Sequence, residues 1–163
     1  MSALEDVTEF IGETLAKRFE IIDANTVEGG FYVPLYGSGL RIDVSALTDE
    51  HLIEFAEEMD IPAEVRVVLN FFICKGIERS EEFFEFCAID MPALTDYMPW
   101  VYEEDDAETL GVGLFCALPG ESLNEYQFLL TVEGLLKDGF KVASALIENF
   151  DAEWMFEVSE DDD

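Results

Sequence analysis

Val65-Arg66-Val67-Val68-Leu69-Asn70-Phe71-Phe72-Ile73-Cys74 is the stretch on which the fold turns. Val65, Val67, Leu69, Phe71 and Ile73 alternate as one face of a strand does. Val65, Val68, Leu69, Phe72 and Ile73 fit one face of a helix as well. Asp60 and Pro62 just upstream offer a helix start, since proline is well placed where its missing N–H would have no intrahelical partner. That start and the length of the run favour a helix closed by Lys75-Gly76. Residues 64–74 nonetheless satisfy both periodicities, so the pattern alone does not decide between helix and strand.

Upstream, Ser2 and Glu5 stand at capping-box spacing, and Leu4, Val7, Ile11 and Leu15 then fall on one helical stripe. Phe19 to Ile22, Phe31 to Val33 and Leu40 to Val44 read as short strands. Turns at Glu28-Gly29-Gly30 and Gly37-Ser38-Gly39 separate them into a small antiparallel meander. Thr48 can cap a second helix, with Leu52, Phe55, Ala56 and Met59 facing inward.

Downstream, Ser80 opens a short helix carrying Phe83, Phe84 and Cys87, and Asp90 with Pro92 opens another turn through Tyr97. Trp100 to Tyr102 and Leu110 to Leu118 pair as a hairpin around the acidic loop Glu103 to Asp106, and Pro119-Gly120 stops the second strand. Ser122 with Glu125 reads as a second capping box. The long helix behind it places Tyr126, Leu129, Leu130 and Leu136 on one face, continued by Phe140, Ala143, Ile147 and Phe150. Gly134 and Gly139 weaken it, and a break near Asp138 is expected. Trp154 to Val158 suits a last strand. The order of elements predicts an α+β fold: one domain over residues 1–158, a small antiparallel sheet packed by helices, a long C-terminal helix, and an acidic tail at 159–163.

Composition narrows the function. The chain has 163 residues and is half hydrophobic, with 14 Phe, which is enough for a real core. Against 8 Lys and Arg stand 38 Asp and Glu, a formal net charge of −30. That field repels nucleic acid and anionic lipid and attracts basic partners. Direct nucleic-acid binding and membrane association are therefore not expected. Cys74, Cys87 and Cys116 are widely spaced among apolar residues and read as buried free thiols of a reducing compartment. The start Met1-Ser2-Ala3-Leu4-Glu5-Asp6 lacks the basic and apolar regions of a signal peptide, and no apolar run approaches a membrane span. A cytoplasmic location is the expectation.

Chemistry is hard to find. His51 is the one histidine, beside Asp49 and Glu50 at the start of an amphipathic segment, and any histidine-based triad would have to be built around it. Gly37-Ser38-Gly39 has the wrong spacing for a nucleophile elbow, and Gly111-Val112-Gly113 is followed by no third phosphate-loop glycine. Glu103 to Asp106 lacks the alternating pattern of a calcium loop. No catalytic residue, cofactor or metal is expected.

Trp100-Val101-Tyr102, then Leu114-Phe115-Cys116-Ala117-Leu118-Pro119, then Ser122-Leu123-Asn124-Glu125-Tyr126-Gln127-Phe128 form a strand, a strand closing on Leu-Pro and the start of a long helix. With the capped first helix and the meander, this resembles the small acidic type III secretion chaperones and the related YbjN-like bacterial regulators. The block from Thr48 to Tyr97 is longer and more helical than those families have there. The resemblance implies a helix that packs on the sheet or forms a homodimer interface.

Three explanations of the acid follow. In the first, the chain is a chaperone-like or regulatory module that binds a protein with a basic surface or an exposed apolar segment. Its candidate apolar contacts are Leu118, Tyr126, Phe128 and Phe140, with Phe128 chosen because it falls off the main stripe. Its candidate acidic contacts are Glu78, Glu81, Glu82, Glu85, Glu103, Glu104, Asp105 and Asp106. In the second, carboxylates at helical spacing imitate phosphates and occupy the basic cleft of a nucleic-acid enzyme. In the third, the acid is adaptation to high salt. Only four lysines favour that, while 24 Glu against 14 Asp and the many Phe speak against it.

Overall fold

Residues 65–78 form one long strand, not a helix. The computed structural model describes residues 2–18, 22–25, 30–35, 38–105 and 108–154. The elements in chain order are α1 (Ala3–Ala16), β1 (Ile22–Asn25), β2 (Gly30–Leu35), β3 (Ser38–Ala46), α2 (Glu50–Glu58), β4 (Val65–Glu78), α3 (Glu81–Ile89), α4 (Met91–Leu94), β5 (Met98–Glu103), β6 (Thr109–Pro119), α5 (Glu125–Phe150) and β7 (Glu153–Trp154). The strands run in the order β1-β2-β3-β4-β6-β5, and β7 adds to β4. The α+β architecture expected from the sequence is thus found.

Period two wins in β4 because alternate side chains meet different surroundings. Val65, Val67, Leu69, Phe71 and Ile73 are all buried, Arg66 is exposed, and Val68, Asn70 and Phe72 are half-buried. Branched and aromatic side chains also suit a pleated surface better than a helix. The Asp-x-Pro signal belongs to the end of α2. Asp60 takes a left-handed conformation (φ 55°), its N–H bonds to the Glu57 carbonyl (3.2 Å), and the Ile61 N–H bonds to the Ala56 carbonyl (2.9 Å). This is a Schellman stop, and proline commonly follows one.

Several smaller expectations shift. The cap of α2 is Asp49, whose side chain accepts from the His51 and Leu52 N–H groups, and not Thr48. Asn124 Oδ1 accepts from the Gln127 N–H (2.8 Å), so α5 begins on an asparagine and not on the Ser122–Glu125 box. Ser38 and Gly39 lie inside β3 and not in a turn. Residues 19–21, 28, 29, 37, 106 and 155–163, on which parts of the expected strands, turns, acidic loop and tail fall, lie outside the described residues. The capping box of α1 is present, with Ser2 and Glu5 each accepting the other's N–H at 3.2 Å.

The chain divides into two units: Met1–Val33 with Arg41–Leu69 and Ala117–Leu130, and Pro34–Leu40 with Asn70–Cys116 and Thr131–Asp163. In the first, α1 buries Val7, Ile11 and Leu15, the strands bury Phe31, Val33, Ile42 and Val44, and the start of α5 buries Phe128. In the second, Phe83 and Phe86 of α3 stack edge-on against Phe150. Trp100 and Tyr102 of β5 lie across Gly113 and Gly111 of β6, their register partners, so the glycines make room for the rings. Gly134 and Gly139 do not break α5. A β-carbon at 139 would overlap the Phe71 ring, and one at 134 would overlap the Tyr97 hydroxyl, so both glycines answer to packing.

Candidate functional site

The excursion from β3 to β4 carries the site. Its base is closed by a hydrogen bond from the Leu47 N–H to the Glu64 carbonyl (2.9 Å). Within it, α2 is amphipathic but not sunk. Only Ala56 is buried, while Leu52, Phe55 and Met59 are 53%, 59% and 57% exposed. The sequence reading that turned these three inward is therefore corrected.

Leu52, Phe55 and Ala56 form one wall of an apolar groove of about 310 Å³. Leu47, Ile61 and Ala63 complete that side, Val65 and Arg66 come from β4, and Ala117, Leu118 and Pro119 from the end of β6. The Schellman stop holds Ile61 against α2. The groove's backbone is already committed around Val65: Glu121 takes the Glu64 and Val65 N–H groups on its two carboxylate oxygens (2.8 and 2.5 Å), and the Gly120 N–H bonds to the Val65 carbonyl (2.9 Å). Outside the groove, α2 exposes Glu50, Glu54, Glu57 and Glu58, with Asp49 and Asp60 at its ends. A second cavity of about 330 Å³ in the same unit is walled by Ala3, Val7 and Phe10, but also by Asp6 and Glu121, and is less apolar.

Of the four apolar contacts expected from the sequence, Leu118 alone lines the groove. Tyr126 is 74% exposed on α5, and Phe140 stacks edge-on against Trp154 (6.0 Å) in the second unit. Phe128 is wholly buried and belongs to the core. Along α5, Phe128, Val132, Leu135, Val142 and Leu146 are buried instead of the expected Tyr126 and Leu130, which face out, while Ala143 is buried as expected.

The acidic positions lie at the end of β4, on α3 and at the β5–β6 turn. Glu78, Glu81, Glu82 and Glu85 are exposed at the end of β4 and on α3. Arg79, which follows Glu78 in the chain, pairs with Glu103 at the end of β5. Glu104 accepts from the Gly76 N–H (3.1 Å) and from the Thr109 hydroxyl, and Asp105 is exposed. Asp106 lies outside the described residues.

Burial pushes the Cys74 thiol up to about 12, and it raises Cys87 and Cys116 as well. The Tyr102 hydroxyl is pushed up to about 12 by burial, with Glu104 and Cys74 adding to the shift. His51 is exposed on α2. Among the described residues no group of three or more His, Cys, Asp or Glu is placed to hold a metal ion, and no helix is long and apolar enough to cross a membrane.

No protein-family model, curated protein or solved structure matches the chain.

Proposed function

We propose that the chain is a non-enzymatic protein-binding module, chaperone-like or regulatory, that takes an apolar segment of a basic partner into the α2 groove. The observation that carries this reading is the exposure of Leu52 and Phe55 on a helix whose other face is acidic. Exposed apolar side chains gathered at a concave site mark interaction surfaces. Raised thiols and an exposed lone histidine leave little for catalysis to use. The test is to isolate the partner and measure affinity at about 0.1 M and about 1 M salt, where the Debye length falls from about 10 Å to about 3 Å. Binding that persists at high salt and falls with Phe55→Asp supports the module. Activity abolished by His51→Ala or Cys116→Ser in a folded protein would replace it with an enzyme.

DNA mimicry is the second reading, favoured by the exposed carboxylates Glu81, Glu82 and Glu85 of α3 and Glu103 and Asp105 at the β5–β6 turn. A mimic binds through charge alone, so its affinity collapses with salt and DNA competes for the same cleft.

A further inference from the structure

We draw no further inference here: the strongest candidate, the cavity of about 330 Å³ beside α1, rests on two of the chain's 38 carboxylates, and of these Glu121 already takes the Glu64 and Val65 N–H groups while Asp6 stands exposed, so nothing in the structure shows what ligand it would hold.

Discussion

Two helices of this chain have apolar stripes of similar regularity and opposite fates. Along its 26 residues, α5 sinks Phe128, Val132, Leu135, Val142, Ala143 and Leu146 out of water. With nine residues, α2 buries Ala56 and leaves Leu52, Phe55 and Met59 more than half exposed. Periodicity is a property of the segment alone. Burial depends on whether the rest of the fold has a surface to meet it, and α2, held at its base by Leu47 and Glu64, is offered a groove. A stripe that stability does not need is free to serve binding.

Truncation sharpens that contrast most. Phe128→Ala destabilises by about 3–5 kcal/mol in a urea titration, because it opens a cavity in a closed core. Phe55→Ala changes stability by no more than about 0.5 kcal/mol, as exposed positions do. Equal losses would mean that α2 is as much a part of the core as α5.

Gly139→Ala opposes helix propensity to packing in α5. Propensity favours alanine by about 1 kcal/mol, but the added methyl meets the Phe71 ring and overpacking costs about 1–3 kcal/mol. The net expectation in thermal melts is destabilisation. A gain in stability would show that the ring moves aside freely.

Alkaline pH probes the buried region without mutation. Cys74 and Tyr102 hold their protons up to about 12 in the folded chain, against ordinary values of 9.0 and 10.0. Above those ordinary values the unfolded chain gives up protons that the folded one keeps, so stability falls. The stabilisation is complete below about pH 9 and declines as pH rises towards 12, which a series of melts follows. In the folded protein Cys74, wholly buried, reacts with thiol reagents more slowly than half-buried Cys87 and Cys116.

The smallest effect concerns the end of α2. Asp60→Gly relieves a left-handed residue that carries a β-carbon and stabilises by about 0.5–1 kcal/mol in the same urea titration. A loss would show that the Asp60 side chain holds the stop in place.

How much of this was legible follows the same line. The α1 capping box, the Ser80 cap and the β5–β6 hairpin were readable because local chemistry settles them. The strand at 65–78 was not, because branched residues there satisfied both periods and the deciding signal, Asp60 to Pro62, ended one element instead of starting the next. The phase of α5 was hidden by its width: apolar residues on both flanks of the buried stripe let Tyr126 and Phe128 exchange roles. Of the groove, Leu118 alone was named, since no pattern within α2 separates a stripe that will be covered from one that will stay open.

The most direct measurement is an amide ¹H–¹⁵N spectrum of the protein titrated with a synthetic amphipathic peptide of leucines and lysines. Shifts concentrated at residues 47–66 and 117–119, and absent in Phe55→Asp, are the expected result. Shifts concentrated instead at residues 78–85 and 103–105 would place recognition on the acidic positions and contradict the groove as the binding site.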